Sequence, residues 1–169
     1  MSQDDLYRDA AAAYGEALDR LVRAYEADPD KRRDLLQEIH IALWRSFEKF
    51  EQRCSLRTWI YRVAHNTAAS HILHRRTNSK GLVSLAEVEA TPDHSDHARD
   101  ADQRMALERL LQLVHRLKPV DRQIMFLYLE DMDSASIGEI TGMSPGNVRI
   151  QIHRIKNILA RRFHGGGEV

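Results

Sequence analysis

The feature that most constrains this chain is its apolar spacing: wherever hydrophobic residues cluster they recur at three- and four-residue steps, and no segment of useful length alternates apolar with polar. A period near 3.6 draws one apolar stripe along a helix, whereas a strand needs a period of two, so the fold class is read as all-α. Tyr14, Ala17, Leu18, Leu21, Val22 and Tyr25 mark a first helix, closed by Ala27-Asp28-Pro29-Asp30. Leu36, Ile39, Leu43, Phe47 and Phe50 mark a second, and Trp59, Val63, Thr67 and Ile72 a third. The polar turn Glu51 to Ser55 separates them, with Ser55 as N-cap. Further on, Leu107, Leu110, Leu111, Val114 and Leu117 lead to Pro119, after which Val120, Ile124, Leu127 and Tyr128 resume the pattern.

Between these groups the stretch from Glu87 to Asp100 is acidic, has little apolar periodicity after Val88, and carries Pro92 among small polar residues. Such a segment buries too little to fold and reads as a linker. The chain is therefore expected to hold two small helical domains, residues 5–77 and 103–164, joined by a flexible acidic linker at 78–102 and followed by a disordered tail at 165–169. Each unit lies near the lower size limit for folding alone. No apolar run approaches the roughly 18 residues that span a bilayer, and Met1 to Asp5 is acidic where a signal peptide is basic, so a cytoplasmic protein without membrane insertion is expected.

Enzymatic readings find little support. Cys54 is the single cysteine, which excludes an intramolecular disulfide and a cysteine-based metal cluster. Asp93, His94, Asp96, His97 and Asp100 are competent ligands without a framework to fix their geometry, so no metal site is assigned. Neither a nucleophile–base constellation nor a phosphate-binding glycine loop is present, since Gly165-Gly166-Gly167 follows the last helix in the tail. No cofactor and no catalytic residue are expected.

The charge total, 25 basic against 25 acidic groups, argues at first against a nucleic-acid partner. Its distribution argues the opposite. Residues 53–80 hold 6 basic groups and no acidic ones, residues 81–103 hold 1 against 6, and residues 144–169 hold 5 against 1. Neutrality is thus a cancellation: two basic blocks are offset by the acidic stretch that separates them together with residues 1–52, which hold 8 basic against 12 acidic groups, and residues 104–143, which hold 5 against 6.

The second basic block follows a short helix at Asp133 to Thr141 and a turn, Gly142-Met143-Ser144, in which Ser144 caps and Pro145 opens the last helix. This is the helix-turn-helix plan. On the last helix Val148, Ile152, Ile155 and Leu159 share one stripe, leaving Arg149, Ile150, His153, Arg154 and Asn157 on the other side. Arginine forks suit guanine edges or phosphates, Asn147 and Asn157 offer amides, and Ile150 offers a contact to a thymine methyl. The same charges also suit a solvated basic helix end, with Arg161 and Arg162 opposite the C-terminal dipole; turn and stripe together favour DNA. In the first basic block Arg57, Tyr61, Arg62, His65, Asn66, His74, Arg75 and Arg76 mix cations with aromatic and amide groups, which suits a melted strand, while Trp59 reads as core.

At this point the residues resemble a known family. Asp34-Leu35-Leu36-Gln37-Glu38 leading to Trp44-Arg45, then Phe50 and Ser55 to Asn66, is similar to region 2 of the extracytoplasmic-function (ECF) sigma factors of bacterial RNA polymerase. Leu117 to Gln123, with Ile137 to Arg149 and His153-Arg154, resembles their region 4. The resemblance implies promoter-specific transcription initiation, with no covalent chemistry in this chain. It implies that Asp34, Gln37 and Glu38 meet the clamp helices of the polymerase β′ subunit. A flipped minus-ten base would be held at Phe50 and the loop Glu51 to Ser55, with Asn66 facing it and Tyr61 nearby, while Arg57, Arg62, Arg75 and Arg76 hold phosphates. Trapping such a base costs a few kcal/mol that stacking and edge hydrogen bonds must return. Ser144, Asn147, Arg149, Ile150, His153, Arg154 and Asn157 would read the minus-thirty-five duplex, while another surface of region 4 meets the β flap. Many members carry a basic residue where Gln151 stands, an aromatic-acidic pair where Ser134-Ala135 stand, and Phe where Leu56 stands. Control by an anti-sigma protein is common in the family and is left open by these residues. A helix-turn-helix regulator that never joins polymerase is the alternative, and it leaves the Asp34 to Trp44 pattern without a purpose.

Overall fold

The computed structural model describes residues 2–76 and 102–164, with the side chains of Arg75 and Arg76 excepted. The readings placed on linker residues 78–101, on the His94–His97 cluster, on the tail and on those two arginine side chains lie outside the described residues. Within them the chain forms seven helices and no strand: α1 (Gln3–Tyr25), α2 (Pro29–Phe47), α3 (Leu56–Arg76), α4 (Asp102–Arg116), α5 (Pro119–Leu129), α6 (Ser134–Thr141) and α7 (Pro145–His164).

Local chemistry sets the boundaries. Ser2 and Asp5 form a reciprocal capping box at the start of α1, the Ser2 hydroxyl accepting from the Asp5 N–H at 3.1 Å and the Asp5 carboxylate accepting from the Ser2 N–H at 3.2 Å. Asp28 caps α2 ahead of Pro29 by accepting the Asp30 N–H. Ser55 does cap α3, its hydroxyl accepting from the Thr58 N–H at 3.0 Å.

The first three helices surround Leu18, Leu21, Leu35, Ile39, Leu43, Ile60, Ala64 and Ala68. Two stripes differ by one position from the sequence reading. On α2 it is Leu35, not Leu36, that is fully buried, and on α3 the deepest residues are Ile60, Tyr61, Ala64, His65 and Ala68, with Trp59, Val63 and Thr67 only half-buried. Alanine and histidine carry little hydropathy signal, which hid the true stripe. In the C-terminal unit Leu113, Leu117, Ile124, Leu127, Ile137, Val148, Ile155 and Ile158 form the core, whereas Leu107 and Val120, expected inside, are exposed. At the start of α5 it is Asp121 and Arg122, next to Val120, that are buried.

The two units do not stand apart. Helix α1 packs on α4 and α5, and α3 packs on α5 and α6. Arg122 is the pin of this seam. Its buried guanidinium donates to the Leu117 carbonyl at 2.9 Å, to the His115 carbonyl, and across the seam to the Tyr25 carbonyl at 3.3 Å, lying 5.4 Å from the centre of the Tyr25 ring. One cation thereby satisfies carbonyls at the ends of α1 and α4, where helix dipoles favour positive charge. Burial still pulls its pKa down to about 10, leaving it charged at neutral pH.

Helices α6 and α7 make the expected turn. Gly142 takes the left-handed conformation, φ 77°, and its N–H donates to the Gly138 carbonyl at 2.8 Å. Gly138 is required for a different reason: a Cβ there would lie 2.5 Å from the Met143 carbonyl oxygen. Ser144 caps α7 through the Asn147 N–H. Among the described residues no helix is long and apolar enough to cross a membrane, and no group of His, Cys, Asp and Glu is placed to hold a metal ion.

Candidate nucleic-acid interface

Helix α7 is buried along one side by Val148, Ile152, Ile155, Ile158 and Leu159, the spacing of an amphipathic helix. The opposite side presents Asn147, Arg149, Ile150, His153, Arg154 and Asn157, all exposed, with Ser144 exposed at its start. Ile150 is 68% exposed, an apolar side chain alone among polar ones. Beside this face a cavity of 460 Å³ opens between Arg149, His153, Lys156, Tyr128, Asp133 and Ser134. Lys156 lies over the Tyr128 ring at 5.1 Å, so its ammonium is steered to the rim of this cavity. Gln151 is turned inward, donating to the buried Asp121 carboxylate.

The loop between α2 and α3 borders a cavity of 370 Å³ lined by Lys49, Arg53, Cys54, Trp59, Arg62 and, from α6, Glu139. Gln52 takes a positive φ of 57° at the apex of this loop, and Arg53 pairs with Glu51 at 2.6 Å. Phe50 is half-buried with its ring 5.3 Å from that of Trp59, whose indole N–H donates to the Ser46 hydroxyl. Asn66 is exposed but lines another cavity, of 480 Å³, with Glu38, Thr67, Ser70, His71 and His74 between α2 and α3. The structure thus groups Phe50, Trp59 and Arg62 near the loop and leaves Asn66 beyond it.

Three residues proposed for strand contact are engaged across the seam. Arg57 donates to the Glu130 carbonyl, Arg62 donates to the Glu139 carbonyl at 2.9 Å, and the Tyr61 hydroxyl donates to the Glu130 carboxylate at 3.2 Å. Tyr61 is buried, its ring 6.1 Å from Phe126 of α5, and burial followed by the nearby Glu130 charge pushes its pKa up to about 12. Glu130 itself is gripped by Arg20, Nε to Oε1 at 2.7 Å and Nη2 to Oε2 at 2.9 Å, and this pairing holds its carboxyl below the ordinary carboxylate value. Next to it His65 is buried against Phe126, with the Tyr25 hydroxyl 2.8 Å from Nδ1; burial drives its pKa down to about 3, so it is neutral. Sequence reasoning missed Arg20, Glu130 and Arg122, because the partners lie 110, 69 and 97 positions apart and no periodicity links them.

Helix α2 supplies the third surface. Asp34, Gln37, Glu38, Ile41 and Trp44 are exposed at three- and four-residue steps, hence on one side of the helix. Its far end is braced by α1: the Trp44 indole donates to the Asp4 carboxylate at 2.9 Å and Gln3 donates to the Trp44 carbonyl. Glu38 also faces His71 at 3.5 Å, which lies 3.4 Å from Glu26 on its other side.

Comparison with known proteins bears on all three surfaces. Residues 10–78 match the family model for Sigma-70 region 2, and residues 107–159 match that for Sigma-70 region 4. The ECF RNA polymerase sigma-E factor of Haemophilus influenzae is 29% identical over 138 residues, covering 77% of this chain and 73% of the relative. The ECF RNA polymerase sigma factor SigW of Bacillus subtilis is 22% identical over 170 residues, covering 94% of this chain and 89% of its own. Among solved structures, the sigma factor RpoE of Bartonella quintana, in complex with the anti-sigma factor NepR, has the same fold at a TM-score of 0.67 and 17% identity, covering 96% of this chain and 98% of that one. CnrH in complex with the cytosolic domain of CnrY matches at a TM-score of 0.64 and 18% identity, over 94% and 88% of the two chains. With a region 2 and a region 4 in that order along one chain, and relatives of this kind over most of its length, the protein belongs to the ECF sigma factors of bacterial RNA polymerase.

Proposed function

We propose that this chain is a cytoplasmic promoter-specificity factor: it binds core RNA polymerase, directs initiation at particular promoters, and contributes recognition without covalent chemistry. The observation that carries the reading is the exposed cationic and amide face of α7, seated on a buried stripe behind a helix-turn-helix, on the same chain as a region 2. Ser144, Asn147, Arg149, Ile150, His153, Arg154 and Asn157 read the minus-thirty-five duplex in its major groove. Phe50 and the loop to Ser55 hold an unstacked minus-ten base, with Tyr61 and Asn66 as further contacts and Arg57, Arg62, Arg75 and Arg76 on phosphates. Asp34, Gln37 and Glu38, continued by Ile41 and Trp44, dock on the β′ clamp helices, and region 4 also meets the β flap. The solved neighbours carry anti-sigma partners, which makes such a protein a reasonable partner here as well.

The α2 surface separates this reading from a regulator that never joins polymerase. Asp34→Arg reverses charge at an exposed site, so folding should be unchanged. Co-purification with core polymerase and run-off transcription should both fall at least tenfold, while binding of isolated duplex by α7 persists. Full transcription by the variant would remove Asp34 from the contact, and absence of any complex between the unaltered chain and core polymerase would defeat the proposal.

A further inference from the structure

Helix α2 turns two large apolar side chains to solvent near its C-terminal end. Ile41 is 44% exposed and Trp44 43%, and they share the side of the helix that carries Asp34, Gln37 and Glu38. An indole left in water forgoes the stabilisation of burial, and tryptophan ringed by polar groups is among the residues in which binding energy concentrates. Unlike the exposed leucines of this chain, an indole also carries a donor by which the fold can hold it. The Trp44 Nε1–H donates to the Asp4 carboxylate at 2.9 Å, and the Trp44 carbonyl accepts from the Gln3 side-chain amide at 2.7 Å. That carbonyl lies in the last turn of α2, where the intrahelical ladder runs out, and the Glu48 N–H is directed to Ser46.

The acceptor is itself fixed. Asp4 sits in the first turn of α1, where the helix dipole favours a carboxylate, beside the capping box of Ser2 and Asp5. Two consecutive residues of α1 therefore grip one residue of α2, 40 and 41 positions away, by its side chain and by its backbone. Both bonds are exposed, and water competes for the same donors and acceptors, so they add little to folding. Their effect is to choose a rotamer. An unheld indole on a helix surface divides its time among staggered χ1 wells, and a partner that binds it must freeze one of them, at a cost equivalent to a severalfold loss of affinity.

We propose that Asp4, assisted by Gln3, is a positioning residue of the polymerase-docking surface: the first turn of α1 holds the Trp44 indole in one orientation before contact and so presets the apolar anchor of α2. The inference rests on the reading of α2 as that docking surface. It extends the surface to a second helix, which acts through Trp44 without having to touch the partner. Asp34, Gln37 and Glu38 then form the polar border of an anchor whose shape is fixed in the free chain.

The test uses the full chain with Asp4→Ala, which removes the acceptor, and Asp4→Asn, which keeps an acceptor oxygen and removes the charge. The indole N–H resonance of Trp44, identified by its loss in Trp44→Phe, reads the hydrogen bond. Its exchange with solvent should quicken in Asp4→Ala and stay as in the unaltered chain in Asp4→Asn. Affinity for core polymerase should fall about fivefold in Asp4→Ala, equivalent to about 1 kcal/mol, and stay within about twofold in Asp4→Asn. In a Trp44→Phe background, which keeps a ring and lacks the donor, Asp4→Ala should cost nothing further. Equal losses in Asp4→Ala and Asp4→Asn would show that Asp4 acts by charge and would overturn the positioning role. So would normal binding by Asp4→Ala, or losses that simply add in the Trp44→Phe background. The underlying reading is checked separately: if Trp44→Ala binds core polymerase as tightly as the unaltered chain, the end of α2 lies outside the contact, even where the indole resonance reports the bond to Asp4.

Discussion

The two basic surfaces of this protein differ in how ready they are. On α7 the face with Arg149, Ile150, His153 and Arg154 is exposed, because the helix packs along one side only. On α3 the comparable residues are covered: Tyr61 is buried, and Arg57 and Arg62 already donate to carbonyls of the other unit. On the reading proposed above, the contrast matches the state of the two ligands. A major groove exists in any duplex, so its reader can be fixed in place from the start. A melted strand exists only after a promoter has been engaged and opened, and a strand reader exposed earlier would bind unrelated nucleic acid through its charges. The balance of basic and acidic groups then has a local meaning, since the Glu130 carboxylate pairs with Arg20 beside α3 while α7 keeps its cations exposed.

The largest expected effect breaks the ready side alone. Gly138→Ala puts a Cβ 2.5 Å from the Met143 carbonyl oxygen, a backbone atom that moves only if the turn into α7 moves. Overpacking of this kind costs roughly 2–3 kcal/mol. Thermal unfolding should show the loss, and duplex binding by α7 should weaken because Asn147 to Arg154 are re-aimed. Association with core polymerase through α2 should persist. An unaltered melting temperature would show that the turn is looser than its geometry.

Much of this was legible in the sequence, and the failures share a cause. Helices α1 to α3 and α4 to α7 follow from apolar periodicity, and Ser55, Gly142, Ser144 and Pro145 mark boundaries by their own chemistry. The exposed face of α7 could be read because one helix decides it. The seam could not, since it depends on residues distant in sequence: Arg122 looks like a surface cation until its carbonyl partners on α1 and α4 are brought to it. His65 and Tyr61 look like ligand-facing residues because nothing nearby in sequence announces Phe126 as their cover. Leu107 and Val120 erred in the other direction, apolar residues at helical spacing that no neighbour covers.

A smaller effect sharpens the covered side. His65 is held neutral, its pKa driven down to about 3 by burial among Tyr25 of α1, Tyr61 of α3 and Phe126 of α5. In the unfolded chain the ring returns toward its ordinary value of 6.5 and takes up a proton that the folded form cannot hold. Stability contributed by the neutral ring is therefore complete above about pH 6.5 and falls as pH drops toward 3, by about 1.4 kcal/mol per pH unit for one proton. Glu130 works in the same direction lower down: its depressed carboxyl stabilises the folded form above its ordinary 4.5 and loses that contribution as pH falls further. Denaturant unfolding at pH 7.0 and 5.5, compared with His65→Phe, isolates the ring from the other histidines. Equal slopes for the two proteins would mean that His65 protonates where it sits.

The smallest effect asks whether the ready side reads sequence or only charge. Ile150 is 68% exposed and makes no charge contact, so Ile150→Ala should leave folding within about 0.5 kcal/mol of its starting value. What it removes is apolar area available to a thymine methyl, worth about 1 kcal/mol or less at one base pair. Arg154→Ala is the complementary change, an exposed cation suited to phosphate. It should weaken all duplexes alike and lower the salt slope by about one. With duplexes recovered from the polymerase complex, the Ile150 variant should lose discrimination at a single position while its salt dependence is unchanged. Should both variants weaken every sequence equally, α7 would be a phosphate-tracking helix, and promoter choice would have to rest on region 2.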